Sequence, residues 1–237
     1  MWIYGRNPVL EAAREGGVRR VLVARGVERR FLKKLEDAGI PYELVPRIEL
    51  DQLVRTTHHQ GIVAEIEEIR LADPEAPLRL ARKRGELPLL VLLDGITDPR
   101  NYGAILRSAE ALGAHGVVSE ARRSAPLSPV VVKASAGAAR NLPVVQVPNL
   151  PRYIEELKKA GVWVYGLAGE GEVALEEADY ERPLAWVIGS EGSGLRRLVR
   201  DRCDQLVHIP LRGRTPSLNA AVAAGIAVHW ALAARRG

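Results

Sequence analysis

The chain has 237 residues, 47% hydrophobic and 27% charged, which is enough apolar material for a packed core and excludes a largely disordered chain. No apolar run reaches the ~20 residues of a membrane span, and the first residues lack the apolar segment of a secretory signal. The single Cys203 excludes an intramolecular disulfide framework and a cysteine-cluster zinc site, so the expected compartment is the cytoplasm.

Lys and Arg number 34 against 29 Asp and Glu, a net charge of +5. Residues 1–35 hold nine basic and three acidic side chains, which suits a polyanionic partner. Arginine supplies 28 of the 34 cations. Its planar fork matches phosphate, although a thermophile or a G+C-rich genome gives the same count.

Residues 1–69 read as a small α/β unit. A helix starts at Arg6 with Pro8 in its first turn. Val18 to Ala24 reads as a strand, Glu28 to Ala38 as an amphipathic helix stopped by Gly39, Tyr42 to Val45 as a short strand and Gly61 to Ile69 as a last strand. Residues 70–87 contain Pro74, Pro77 and Gly85 and read as a linker with a short helix at Leu78–Lys83.

From residue 88 to 237, strands alternate with helices. Leu89 to Asp94 is continuously apolar up to its last residue, the pattern of a parallel strand buried on both faces. Further strands are expected at 116–118, 144–147, 162–167, 185–189 and 205–211. Helices are expected at 101–112, 128–139, 151–160, 194–202 and 217–235. This grammar implies a parallel sheet covered by helices.

Three segments stand where a strand hands over to a loop and a helix, the place where open α/β sheets bind ligands. The first runs from Asp94 to Ala109. In it Arg107 follows the small residues Gly103 and Ala104 at helical spacing, so its fork is free to reach a ligand; by itself it reads rather as a solvent-facing arginine, and Asn101 as a helix cap or start. The second runs from Ala185 to Leu195 (AWVIGSEGSGL). Its glycines fall as GxxGxG, which is not the dinucleotide fingerprint, and Glu191 would repel a pyrophosphate. The third, Ile209 to Ile226, places Ser217 as a helix cap and Asn219 in the first turn of an Ala-rich helix. The five histidines do not fall at metal-ligand spacings, and no metal is assigned.

These segments, DGITDPRNYGAILRSAEALG, LAWVIGSEGSGLRRLVRDRCDQLVHIP and PSLNAAVAAGI, with HHQGI at 58–62, resemble the SpoU/TrmH branch of the SPOUT methyltransferases, and within it the RlmB-type 23S rRNA guanosine 2′-O-methyltransferases. The likeness spans essentially the whole chain. It implies a knotted parallel-sheet SPOUT catalytic domain at 88–237, preceded by a small α/β RNA-binding domain at 1–69. It implies S-adenosyl-L-methionine as methyl donor, held near Leu167, Ala168, Gly169, Ile188, Gly189, Glu191, Gly192, Ile209, Leu211, Leu218 and Asn219. It gives Asn101, Arg107, Glu191, Ser217 and Asn219 as the catalytic set. The implied partners are RNA, with Arg6, Arg19, Arg20, Arg100, Arg122 and Arg123 as candidate contacts, and a second copy in a homodimer with the active site near its interface. The implied target is a guanosine ribose in the peptidyl-transferase region of 23S rRNA. Pro216 departs from the small polar residue usual before Ser-Leu-Asn and leaves the target open. Rival readings are a tRNA ribose methyltransferase of the same superfamily and a non-catalytic RNA-binding assembly factor.

Overall fold

The computed structural model describes residues 1–15, 18–66 and 69–235. The chain divides into two compact units: Met1–Glu68 with Leu127–Lys133, and Ile69–Pro126 with Ala134–Gly237.

In the first unit, β1 (Trp2–Tyr4), β2 (Val18–Ala24), β3 (Glu43–Val45) and β4 (Ile62–Ile66) form one sheet in the order β1-β4-β2-β3. β3 runs parallel to β2, and β4 runs antiparallel to both its neighbours. Successive residues of a strand face opposite sides. Val21 and Val23 therefore pack with Phe31, Leu35 and Val9, from helices α2 (Arg29–Asp37) and α1 (Arg6–Glu15). Leu22 and Ala24 pack with Leu50 of α3 (Arg47–Val54) on the other face. Two elements were not read from the sequence. β1 is only three residues long, and α3 has one buried residue, Leu50, so neither carries a periodic signal. The last strand, expected over 61–69, covers Ile62–Ile66, and Glu67 and Glu68 lie outside the described residues.

In the second unit, β5 (Leu89–Asp94), β6 (Gly116–Glu120), β7 (Val144–Val147), β8 (Trp163–Leu167), β9 (Val173–Ala174), β10 (Leu184–Gly189) and β11 (Gln205–His208) form one sheet in the order β7-β6-β5-β10-β8-β11-β9. Every pairing is parallel. All six residues of β5 are buried. After β8 the chain visits the sheet edge as β9, returns to the centre as β10 between β5 and β8, and passes outward again to β11. Because the strands are parallel, the loops after β5, β6, β8, β10 and β11 all emerge at one edge of the sheet.

Residues 70–87, read as a linker, carry α4 (Ala76–Arg84), longer than the expected 78–83. Leu71 bridges Val144, and the Ala72 N–H donates to the Val144 carbonyl, so this stretch joins the second unit.

Four expectations need correcting. The helix expected at 128–139 breaks into α6 (Pro129–Ala134) and a 3₁₀ turn at Ala138–Arg140, because Ala136 (φ 49°) and Gly137 (φ 85°) take left-handed conformations that no helix continues through. The helix expected at 194–202 shrinks to α8 (Arg197–Arg200), since Arg196 is held extended at φ −60°, ψ 144°. The strand expected to reach Leu211 ends at His208, short of Pro210. The last helix, α9 (Ala220–Ala234), starts three residues late, with Asn219 and not Ser217 as its cap.

Candidate active site

A buried carboxylate at the end of an apolar strand demands a partner. Asp94 closes β5 in that position and finds Arg196, 102 residues on, which donates its backbone N–H at 2.8 Å and its Nε–H at 2.5 Å. The same guanidinium donates to Glu120 Oε2, at the end of β6, at 2.6 Å. Partial burial works against the charge of Arg196, but the hydrogen bonds to Glu120 and Asp94 outweigh it and hold its pKa above the usual arginine value. This clamp fixes the start of α8 against two strand ends. Sequence reading missed Arg196 and Glu120; the signal available was Asp94 itself, polar at the end of LLVLLD.

Between β10 and the clamp, the chain folds back tightly. Ser190 and Gly194 exchange two backbone hydrogen bonds, and Ser190 Oγ lies 2.7 Å from Ser193 Oγ. A Cβ on Gly189 would sit 2.3 Å from the Gly194 carbonyl carbon, so only glycine fits there. The tip of this closed loop presents Glu191.

Glu191 meets two carboxamides from the other two segments. Asn101 lies in α5 (Pro99–Leu112), whose start is set by the Asp98 side chain accepting from the Arg100 N–H. Asn101 Nδ2 donates to Glu191 Oε1 at 2.8 Å. Asn219 Nδ2 donates to the same Glu191 oxygen and to Asn101 Oδ1, the latter at 3.0 Å. Asn219 Oδ1 faces the other way and accepts from the Ala221 and Val222 N–H groups at 2.9 and 3.3 Å, capping α9. The cap therefore orients its amide group. One oxygen of Glu191 is doubly bonded, while Oε2 has no partner among the described residues and stays available as an acceptor.

Glu191 forms one wall of a cleft of about 450 Å³ at the strand-end edge. Leu167, Ala168 and Gly169 line it after β8, Ile188, Gly189, Glu191 and Gly192 after β10, and Ile209, Leu211 and Leu218 after β11. Ser217 lines it too, and Asn219 flanks it through Leu218 and Ala220. The lining mixes apolar side chains and bare backbone with the hydroxyls of Ser190, Ser193 and Ser217, the Glu170–Arg200 ion pair and the Glu191 carboxylate. With Glu170 held by Arg200, the charge left over is that of Glu191, which suits a nucleoside bearing a positive sulfonium, as in S-adenosylmethionine, better than a polyphosphate.

Arg107 is not part of this cluster. It lies six residues beyond Asn101 on α5, which is about 9 Å along the axis and two-thirds of a turn around it. It is exposed, and it makes no ion pair or hydrogen bond among the described residues. Ser217 is exposed and does not cap the helix. Among the candidate RNA contacts, Arg6 pairs with Glu28 at 3.3 Å, Arg20 grips Glu43 with two hydrogen bonds at 2.8 and 2.6 Å, and Arg123 pairs with Glu120 at 3.3 Å. Arg19 is exposed on β2, Arg100 in the first turn of α5 and Arg122 in the loop after β6. Among the described residues, no helix is long and apolar enough to cross a membrane.

Comparison with known proteins follows this layout. Residues 88–229 match the SpoU rRNA Methylase family, and residues 2–72 match the RNA 2′-O ribose methyltransferase substrate binding family. The chain is 43% identical to the 23S rRNA (guanosine-2′-O-)-methyltransferase RlmB of Coxiella burnetii, over 96% of this chain and 92% of that one. It is 38% identical to YacO, a TrmH family tRNA/rRNA methyltransferase of Bacillus subtilis, over 96% and 93%. Among solved structures, the SpoU methyltransferase AviRb from Streptomyces viridochromogenes, crystallised with its cofactor AdoMet, superposes with a TM-score of 0.65 at 29% identity, covering all of this chain and 90% of that one. The chain belongs to the SpoU rRNA methylase family of RNA 2′-O-ribose methyltransferases, which take their methyl group from S-adenosylmethionine.

Proposed function

We propose that this protein methylates the 2′-hydroxyl of a guanosine ribose in the peptidyl-transferase region of 23S rRNA. The observation that carries the reading is the meeting of Asn101, Glu191 and Asn219, drawn from three separate strand-to-helix segments, with Glu191 itself in the wall of the cleft. The named RlmB relative supports the guanosine of 23S rRNA as the acceptor. Activity on that RNA places the protein in the cytoplasm.

S-adenosylmethionine, when bound, supplies a methyl group on a cationic sulfur, open to displacement by an oxygen nucleophile. The residues lining the cleft exclude water from the reacting centre and hold the reactants in line, which is worth several kcal/mol of a possible ~7–11. A ribose hydroxyl is a poor nucleophile until its proton has somewhere to go. Glu191 offers its unbonded Oε2 as acceptor, while Asn101 and Asn219 fix its other oxygen so that the carboxylate does not rotate away. Arg107 serves as a cation for the ribose or its adjacent phosphate and stabilises the forming alkoxide; a guanidinium keeps its proton at neutral pH and is not the base. Ser217 orders the loop before α9.

Because Arg107 points away from its own Glu191 cluster, a complete site calls for a second copy of the chain. The outward face of α9 supports such a homodimer: Val222 and Trp230 are exposed, with Ile226 between them at helical spacing.

The test is transfer of labelled methyl from S-adenosylmethionine to separate pools of unmodified 23S rRNA and tRNA, followed by nuclease mapping. Label on one guanosine of the peptidyl-transferase region is the expected result. Label confined to tRNA keeps the chemistry and overturns the substrate. Folded protein that binds neither cofactor nor label overturns the enzyme reading in favour of an RNA-binding assembly factor.

A further inference from the structure

The N-terminal unit concentrates unpaired arginines at one end of its sheet. The pairing of the four strands fixes which residues lie there. Ala24 at the end of β2 is opposite Val45 at the end of β3, Val23 is opposite Ile62 at the start of β4, and Tyr4 at the end of β1 is opposite Val63. The connections at this end are therefore Gly5–Arg6, Arg25–Glu28, Pro46–Arg47 and the residues leading into Ile62. Helices α1, α2 and α3 all begin here, at Arg6, Arg29 and Arg47.

We propose that this end, through Arg25, Arg29, Arg30 and Arg47, grips the sugar–phosphate backbone of the RNA substrate. The proposal rests on RNA being the substrate. Arg25, Arg29 and Arg30 are exposed and have no ion pair among the described residues; Arg47 has only a long 3.4 Å contact to the Thr57 carbonyl. Arg6 and Arg20, by contrast, are engaged by Glu28 and Glu43. The arrangement works against stability. A helix start carries partial positive charge and favours acidic residues; here Glu28 before α2 and Glu49 in α3 stand against Arg6, Arg25, Arg29, Arg30 and Arg47, and each of the three helices opens with arginine. Cations gathered where the protein's own field is already positive match a polyanion and little else.

The surface is also built to hold its shape. His59, fully buried, accepts the Gly61 N–H at Nδ1, 3.0 Å away, and its Nε2 lies 2.7 Å from Asp51 Oδ1. Gln60 takes a left-handed φ of 56° and its side chain accepts the Arg6 N–H at 3.0 Å. A Cβ on Gly61 would come within 2.5 Å of Val27 Cγ2, so the loops at 25–28 and 59–61 are in direct contact. Tyr4, 44% exposed at the end of β1, adds a ring on which an unpaired base can stack.

The experiment compares the full-length protein with Arg25→Gln/Arg29→Gln/Arg47→Gln and with a control of equal charge change on the other unit, Arg82→Gln/Lys83→Gln/Lys159→Gln. Affinity for an unmodified 23S rRNA transcript is measured by filter binding from 50 to 300 mM KCl, with S-adenosylmethionine affinity and melting temperature measured alongside. The expected result for the arginine triple is about 50-fold weaker RNA binding near 0.1 M salt and a slope of log K against log salt reduced by about 2. Cofactor affinity and melting temperature stay unchanged, and the control stays within about threefold of wild type. RNA affinity and slope as in wild type overturn the proposal, and so does an equal loss in the control, which would make it a net-charge effect. Wild-type protein that binds no RNA overturns the substrate reading, and this proposal with it; wild type that binds and methylates RNA while the triple does both equally well overturns this proposal alone.

Discussion

The two units treat charge in opposite ways. At the strand-end edge of the seven-stranded sheet the polar groups are used up on one another: Asp94 and Glu120 on Arg196, Asn101 and Asn219 on Glu191. At one end of the four-stranded sheet Arg25, Arg29 and Arg30 are left open to solvent, although Arg6 is engaged by Glu28. Catalysis on a single hydroxyl needs one oxygen held in one place, and interlocked hydrogen bonds supply that fixity. Gripping a phosphate backbone needs many cations that do not already have partners, and no single one of them decides the outcome.

That contrast can be broken at its sharpest point by removing Arg107, a catalytic-segment cation that is not interlocked. Arg107→Ala is expected to lower methyl transfer by 10³-fold or more while S-adenosylmethionine affinity, read by calorimetry, stays within about threefold. Turnover near the wild-type rate removes Arg107 from the mechanism.

Next in size is the clamp. Arg196→Met leaves Asp94 buried without its counter-charge and Glu120 with Arg123 alone. Breaking a buried pair costs ~3–5 kcal/mol, and the partial exposure of Arg196 brings this down to about 3 kcal/mol. For a chain of this size that is a fall in melting temperature of ~6–12 °C, which scanning calorimetry reads directly. An unchanged melting point would mean that the clamp orders the loop without stabilising the unit.

Asn219→Ala separates capping from catalysis. Loss of the cap costs about 1 kcal/mol, a fall of only ~2–4 °C. Methyl transfer should drop by far more than that stability loss explains, because Glu191 is then free to turn. Asn219→Ser restores a cap without reaching Glu191, so it should recover the melting temperature and not the activity.

The smallest expected effect is a pH dependence of stability. Burial lowers the pKa of His115 below the ordinary histidine value, against the pull of Glu86, whose carboxylate lies 2.9 Å from Nε2, with Arg84 and Arg235 adding to the lowering. The native state holds the neutral ring, and Nδ1 accepts the Leu89 N–H. A depressed histidine pKa means the unfolded chain binds the proton more readily, so this contribution is complete above pH ~6.5 and is lost as pH falls below it. The melting temperature should fall on acidification from pH 7 to 5, and His115→Gln should flatten that part of the curve.

The site was legible in the sequence to the extent that its chemistry is local. Asn101, Glu191 and Asn219 each stand at a strand-to-helix handover, and the glycines around Glu191 announce a tight loop. Ser217 was mistaken for the helix cap because serine and asparagine cap equally well by local rules; Asn219 takes the place because its amide group also reaches Glu191, a partner 28 residues away. Arg196 escaped notice for the same reason, since both its carboxylates are distant in sequence. On the N-terminal unit, counting charge pointed to the right region and to arginines that turn out to be engaged: nothing within VRRVLVA shows that Glu43 waits for Arg20.

The sequence by itself determined most of the strands and helices, the family and the three segments that carry the chemistry, because periodicity, turn residues and short motifs are properties of neighbours along the chain. The tertiary structure alone decided which carboxylate each arginine meets, which asparagine caps α9, where two helices stop early, and that Arg107 stands away from its own chain's Glu191. Those outcomes depend on distances between residues far apart in the chain, which the parallel sheet sets by bringing five loops to one edge.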